Sequence, residues 1–397
     1  MDLFANIKVL SLEQATVLPY LTYRLAMDGC RVIRLEHPVF GDPNRLIGDP
    51  FLEGEERMNS YYMAINSGKE AMTLNLADPR GQEILKRLLV ELQVDIFATN
   101  QLPRNYTKLG VDYDSLKKIK PDIIWLGITG FGPDSNEVAY DPILQARGGL
   151  MELTGEPDGS PEVVGVPLPD MGTSEHAYGL TMRALFIKAM TGQGSRIDIS
   201  MFDSTASWLT VPITMTSSFG KKISRRGNTH EFFAPVSVYP TNDGYVYIAV
   251  GNDKQFQAFS SLPEFSALNK EDYKKNAGRI RDLTNLNNAI SSVTSTMSTE
   301  ALLRLMNQIG VAASKINTIQ EVAADPLISS KLLKAVDEKS GFELTLAPPP
   351  VSTPFLEARR RRLSFPPRFG EHNEKILVGE LGMSGDALAG LKTDGVI

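Results

Sequence analysis

Short apolar, β-branched runs alternate with segments of helical periodicity over the first 150 residues. Residues 7–12 (IKVLSL) predict a buried strand. Pro19 predicts the opening of a helix that runs through Leu25 to Gly29, where glycine stops it. Residues 31–36 (RVIRLE) predict a second strand, giving a β-α-β unit that favours parallel pairing. A third strand is expected at 72–76 (MTLNL). Asp78-Pro79 forms an N-cap and N1 pair, and Ile84, Leu85, Leu88, Leu89 and Leu92 fall on one face of the helix that follows. VDIFATN (94–100) and DIIWLGITG (122–130) predict two more strands. Such alternation describes an α/β layer.

The pattern then changes. Residues 131–170 are rich in Gly, Pro and Asp and read as loop. A helix is expected over 172–190, with Ala177, Leu180, Ala184, Leu185 and Ile187 buried, then a Gly192-Gln193-Gly194 turn and a half-buried strand over 196–201. Around 217–235 Ser, Gly, Lys and Arg accumulate, as in a mobile loop or a boundary. VSVYP-TNDG-YVYIAV reads as a hairpin, with helices near 253–262, 279–292 and 299–309. The expectation is therefore a large α/β domain over 1–221 and a smaller α+β domain over 222–330, leaving 331–397 as a C-terminal segment. That segment is β-like and Pro-rich from 340 and ends in weak helices near 373–382 and 385–392.

Composition narrows the function by exclusion. The chain has 397 residues, enough to bury a large core without staples. Its single cysteine, Cys30, excludes an internal disulfide and a cysteine zinc site. The four histidines have no metal-ligand spacing, so no metal is expected. A formal charge of −6 disfavours general nucleic-acid binding. No apolar run approaches membrane-spanning length, and the N-terminus lacks the basic start of a signal peptide, so a cytoplasmic protein is expected.

The first β-α turn is the usual cofactor position of an α/β sheet. Here it reads Leu12-Glu13-Gln14-Ala15-Thr16-Val17 and contains no glycine, which disfavours a dinucleotide site; a P-loop is absent. Glu13, Gln14 and Thr16 either face a ligand or serve ordinary capping and solvation. Asp170 precedes the 172–190 helix and suits two roles, an N-cap or a nucleophilic carboxylate at a helix terminus. His37, after a strand end, is an exposed loop residue or a phosphate contact, and Arg359–Arg362 is a solvated face, a subunit contact or a polyanion site.

Several further segments recur in a recognisable order. They are Asn66-Ser67-Gly68-Lys69, Asp78-Pro79 with Gly81, Asn100, Lys108-Leu109-Gly110, and Tyr140-Asp141-Pro142 with Gln145-Ala146 and Gly148-Gly149-Leu150-Met151. Thr154–Gly159, Pro169-Asp170, Arg226-Gly227-Asn228, Gly251-Asn252-Asp253 and Gly370-Glu371-His372 follow. With the opening β-α-β, their order and spacing resemble the class III CoA-transferases, the formyl-CoA and carnitine CoA-transferase family, over nearly the whole chain.

The resemblance implies a Rossmann-like large domain built from both chain ends, a smaller domain from the intervening segment, and an interlocked dimer. It implies transfer of CoA from an acyl-CoA donor to a carboxylic acid, with Asp170 as the catalytic nucleophile. Attack on the thioester would give a mixed anhydride, then an aspartyl-CoA thioester that the acceptor acid resolves by the reverse steps. Coenzyme A would act as cosubstrate, with no permanently bound cofactor. By family position Gln14, Ala15, Thr16 and Val17 line the CoA channel near its reactive end; Leu74, Asn75, Asn100, Gln101 and Lys108 contact the nucleotide part. Tyr140 and Asp141 lie by the pantetheine or acyl group, and His37 replaces a common arginine. Phe232-Phe233-Ala234-Pro235 stands where formyl-CoA transferase has a glycine-rich lid, which points to a bulky or aromatic acceptor such as benzylsuccinate, with succinyl-CoA as donor. The competing readings are an α-methylacyl-CoA racemase, whose His-Asp pair would fall on Tyr140-Asp141, and one subunit of a heteromeric transferase.

Overall fold

Central strands with apolar side chains on both faces must be covered on both sides, and the six strands of this sheet pair in parallel; the edge strand Ser195–Ser200 buries Ile197 and Ile199 and leaves Arg196 and Asp198 exposed. In the computed structural model, which describes residues 3–397, the six are β1 (Lys8–Leu12), β2 (Arg31–Glu36), β3 (Lys69–Thr73), β4 (Ile96–Thr99), β5 (Ile124–Thr129) and β6 (Ser195–Ser200). The sheet order is β3-β2-β1-β4-β5-β6, the doubly wound order that reverses direction between β1 and β4. Register pairs Val9 with Val32 on one side and with Ile96 on the other. The covering helices include α1 (Val17–Met27), α2 (Pro79–Glu91), α3 (Asp141–Arg147) and α4 (Leu168–Thr191).

Alternation along each strand divides the core in two. Leu10, Leu12, Ile33 and Leu35 pack with Ile84, Leu85, Leu88 and Leu89 of α2 and with Val396. Val9, Val32, Ile96 and Ile124 pack with Leu18, Leu21 and Leu25 of α1 and Ala177 and Ala184 of α4. Each such large side chain contributes about 1.5–3 kcal/mol on burial. The outer edge of β3 is paired by the C-terminal segment: Gly68 N–H donates to the Ser364 carbonyl at 3.0 Å, and His372 N–H to that of Ala71 at 2.9 Å. Asn373 Oδ1 accepts Thr73 N–H at 2.9 Å, so no open edge remains there for another strand.

The chain divides into two compact units. One comprises the residues up to Gly149, Val164–Thr214 and Leu327–Ile397; the other comprises Leu150–Val163 and Met215–Pro326. The first therefore draws on both chain ends, and holds a second sheet of three strands, Leu333–Val336, Glu343–Leu346 and Arg362–Ser364. The second is α+β. Its hairpin Val236–Thr241/Gly244–Ala249 pairs with Ala312–Lys315 and packs on helices Asp253–Ser260, Leu283–Thr294 and Thr299–Gln308 through Tyr239, Val246, Ile248, Phe256, Ile290 and Leu302.

Several elements depart from the sequence pattern. Helix α1 begins at Val17 rather than at Pro19, because the tight turn before it already places Thr16 as N-cap. Strand β3 is Lys69–Thr73, earlier than the expected 72–76: the charged Lys69 is tolerated in a buried strand because a carboxylate meets it, while Leu74 and Leu76 are buried beyond the strand end. The expected loop 131–170 contains α3, opened by Pro142 near its N-terminus, and α4 begins at Leu168, before the expected 172. The weak helix expected near 373–382 is a π-helix over Lys375–Glu380, and the helix Thr210–Phe219 runs into the segment expected to be irregular from 217. Among the described residues no helix is long and apolar enough to cross a membrane.

Candidate active site

Where a doubly wound sheet reverses, the loops leaving the strand ends part and leave a crevice for ligands. The turn after β1 and the residue after β4 meet at that point. The Asn100 carboxamide accepts the Gln14 N–H at 3.1 Å and donates to the Gln14 carbonyl at 2.8 Å. Ala15 is held in the same manner. Its N–H donates to Asp42 Oδ1 at 3.0 Å, and its carbonyl accepts from Asn44 Nδ2 at 2.6 Å. Ala15 has φ +60°, a left-handed conformation that costs a non-glycine residue about 1–2 kcal/mol. Side chains thus hold a turn that the local sequence does not favour. Thr16 lies 3.0 Å from the Tyr61 hydroxyl.

Behind this turn lies a buried ionic network. Glu13 does not face a ligand: its Oε1 accepts from Lys69 Nζ at 2.9 Å, and its Oε2 from the Ser11 and Thr22 hydroxyls at 2.8 and 2.6 Å. Arg34 reaches Asp42 at 2.7 Å and Glu36 at 3.2 Å and donates to Asn66 Oδ1. Arg45 pairs with Glu36 at 2.6 Å and donates to the Tyr62 hydroxyl at 2.7 Å. The carboxylates Glu13, Glu36 and Asp42 balance the cations Arg34, Arg45 and Lys69. Burial pushes the Glu36 carboxyl up, but Arg34 and Arg45 outweigh it and hold it down to about 2. Burial pushes Lys69 down to about 8, against the attraction of Glu13. Removing any one member would leave a buried charge uncompensated.

Asp170 is the third residue of α4, inside its first turn, and the N-cap position falls to Pro167. The N-cap reading of Asp170 is corrected on that point: its own N–H donates to Asp141 Oδ2 at 3.2 Å. Pro169 fits the start of the helix because no intrahelical N–H bond is needed there. Asp141, the first residue of α3, is buried and accepts Gln145 Nε2 at 2.6 Å, while Gln145 Oε1 accepts Val164 N–H at 2.8 Å. Burial first, and the Asp141 charge second, push the Asp170 carboxyl up to about 7. A carboxylate with that proton affinity is a stronger nucleophile than an ordinary one and remains ionised in a large fraction at neutral pH. Burial also raises the Asp141 carboxyl, opposed by the bonds from Gln145 and from the Asp170 amide. Ser174 joins the two halves of the site: its hydroxyl lies 2.5 Å from the Val17 carbonyl and 2.8 Å from that of Asp170.

The remaining positions lie on separate elements of the large unit. Leu74 is buried, its N–H bonded to the Glu36 carbonyl at 2.8 Å; Asn75 is half-buried and donates its N–H to the Val396 carbonyl at 2.8 Å. Gln101 follows Asn100 directly and bonds through its N–H to Thr99 Oγ1 at 3.2 Å. Lys108 is exposed on the short helix Tyr106–Leu109, whose Lys108 carbonyl accepts Gln82 Nε2 at 2.9 Å. Tyr140 is 68% exposed at the N-cap of α3. His37 is half-buried, and its Nδ1 accepts the Val39 N–H at 3.1 Å inside its own turn. The sequence reading passed over Asp42, Asn44 and Arg34. Arg34 and Glu36, interleaved with Val32, Ile33 and Leu35 in a buried strand, were the available signal, since charges are rarely buried unless paired.

Fold and site define a doubly wound α/β protein with a carboxylate pair, Asp141 and Asp170, and a side-chain-held turn at the reversal point of its sheet. The sequence model of CoA-transferase family III matches residues 4–373. The chain is 32% identical over 385 residues to a succinate–glutarate CoA-transferase of Agrobacterium fabrum, covering 94% of each. It is 30% identical over 398 residues to the human succinyl-CoA:glutarate CoA-transferase, covering 99% of this chain and 89% of that one. A solved structure of a CAIB/BAIF family protein from Brucella suis superposes with TM-score 0.82 at 31% identity, over 94% of this chain and 98% of the other. The chain belongs to CoA-transferase family III, and it is a CoA-transferase that uses CoA thioesters as cosubstrates.

Proposed function

We propose that this enzyme transfers CoA from succinyl-CoA to a dicarboxylic acid through an aspartyl-CoA thioester on Asp170. The observation that carries the reading is the Asp170 carboxyl itself, raised to about 7 on a residue whose main-chain carbonyl Ser174 links to that of Val17, at the end of the turn after β1. In the first step a carboxylate oxygen of Asp170 attacks the donor thioester carbonyl, forming a mixed anhydride and releasing CoA thiolate. The thiolate then attacks the aspartyl carbonyl, leaving CoA on Asp170 and freeing succinate. The acceptor carboxylate repeats these steps in reverse and leaves as the new acyl-CoA. One thioester replaces another, so no external energy source is consumed. Gln14, Ala15, Thr16 and Val17 would line the reactive end, Leu74, Asn75, Asn100, Gln101 and Lys108 the nucleotide end, with His37 as a phosphate contact and Tyr140 and Asp141 by the pantetheine or acyl group.

Relatives named for succinate, glutarate and mesaconate support a dicarboxylate acceptor. Benzylsuccinate is a bulky member of the same class, and the Phe232-Phe233 sequence, where formyl-CoA transferase has a glycine-rich lid, is the feature that favours it. Two copies of the chain would form the interlocked homodimer. Phe186, Met190 and Trp208, at 67%, 70% and 53% exposure in the single chain, are the apolar side chains such an assembly would cover. The test is to incubate the protein with succinyl-CoA, add hydroxylamine and map the modified residue by mass spectrometry. Modification of Asp170 is expected, with both the adduct and CoA exchange lost in Asp170→Ala. Full exchange by that variant would overturn the mechanism.

A further inference from the structure

We propose that Asp42 and Asn44 are positioning residues of the transfer reaction, holding Ala15 in its left-handed conformation so that the Gln14–Val17 turn keeps its shape beside Asp170. The proposal rests on the functional reading above, in which that turn forms the reactive end of the CoA channel. Both peptide groups of Ala15 are held by side chains from one short segment: Asp42 takes the N–H at 3.0 Å and Asn44 takes the carbonyl at 2.6 Å. A non-glycine residue at φ +60° stays there only when its surroundings over-determine it. Without these bonds Ala15 relaxes toward negative φ. That relaxation turns the peptide planes on both sides of it and disturbs the path into Val17, whose carbonyl Ser174 links to the Asp170 main chain.

The two side chains are themselves locked. Asp42 Oδ1 also accepts the Asn44 N–H at 3.0 Å, which orients Asn44 against Ala15. Asp42 Oδ2 accepts from Arg34 at 2.7 Å, and the Asp42 N–H donates to Glu36 Oε2 at 3.1 Å. Asp42 and Asn44 are both buried, so they neither touch solvent nor exchange partners readily. The buried ionic network thereby acquires a function: it is the rigid mount for a strained turn. A charged network is suited to this task because its geometry is set by paired, directional bonds instead of by packing alone.

The experiment compares Asn44→Ala, Asp42→Ala and Asp42→Asn with wild type, after wild type has been shown to form the hydroxylamine-sensitive adduct at Asp170. Asn44→Ala removes only the bond to the Ala15 carbonyl and leaves the ionic network intact. Its kcat, counted per adduct-forming site, should fall about tenfold or more with a much smaller change in KM for the acyl-CoA. Asp42→Ala should fall further, and Asp42→Asn, which keeps an oxygen for the Ala15 N–H, should recover part of that loss. If Asp42→Ala does not fold, Asn44→Ala decides alone. Wild-type kcat per site in Asn44→Ala, with the wild-type adduct present, overturns the positioning role and leaves the functional reading standing. Absence of the adduct in wild type overturns the functional reading and this proposal with it.

Discussion

Replacing Asp170 with asparagine removes a carboxyl that the fold makes reluctant to ionise, so the substitution should stabilise the protein while abolishing transfer. Burial first and the Asp141 charge second push this carboxyl up to about 7, against 3.8 for an unperturbed aspartate. Each pH unit of difference corresponds to about 1.36 kcal/mol, which sets a ceiling of about 4 kcal/mol. Residual solvent access and relaxation of Asp141 reduce this to about 2–4 kcal/mol. The sign follows from proton binding. Below pH 4 both folded and unfolded forms carry the proton, and the group costs nothing. Between pH 4 and 7 the unfolded chain has lost its proton while the folded chain keeps it, so wild-type stability declines as pH rises and levels off above about 7. Asparagine does not titrate. Thermal unfolding of both proteins at pH 5, 6, 7 and 8 should therefore give a stability advantage of Asp170→Asn that grows with pH, reaching a few degrees at pH 8. The kcat/KM of wild type should rise with pH to a plateau above about 7, because in the proposed mechanism only the carboxylate attacks. A melting difference that stays flat across this range, or an activity limb centred below pH 5, would refute the assignment.

Two further substitutions probe the frame of the site. At Gly81 in α2 an added Cβ would lie 2.0 Å from the Asn75 carbonyl oxygen, so Gly81→Ala must displace the 74–77 loop. A loss of about 1–3 kcal/mol in denaturant unfolding and a raised KM for acyl-CoA at near-normal kcat are expected; an unchanged KM would remove Asn75 from the nucleotide end. Lys69→Met leaves Glu13 buried without its ammonium partner, at a cost of about 3–5 kcal/mol in urea unfolding. Adding Glu13→Gln should recover much of that loss, and strictly additive losses would contradict the pairing.

The reading of strands and helices from periodicity succeeded where one physical term dominated. Asp78-Pro79 and the leucines of α2 specify that helix by capping and by one apolar face, and the hairpin around Asn242-Asp243 is equally local. It failed where distant residues overrode the local pattern. Lys69 enters β3 because Glu13 and Asn66, far away in sequence, satisfy its charge. Helix α3 was hidden in a Gly- and Pro-rich segment because its seven residues offer too little periodicity to register. Asp170 was legible as a carboxylate beside a helix start; its raised proton affinity was not, since that depends on burial and on Asp141, brought beside it only by folding.

By itself, then, the order of motifs determined the family and the alternation of elements determined an α/β layer, because both are recorded in spacing along the chain. Only the tertiary structure decided which polar residues lie on the turn at the sheet's reversal point and which brace it from behind. Glu13 and Gln14 are neighbours of similar polarity, yet one closes a buried ion pair with Lys69 and the other lies on the turn with its backbone held by Asn100. Sequence distance carries no information about that division. It is fixed by which charges the sheet brings together, and by the cost of burying any of them without a partner.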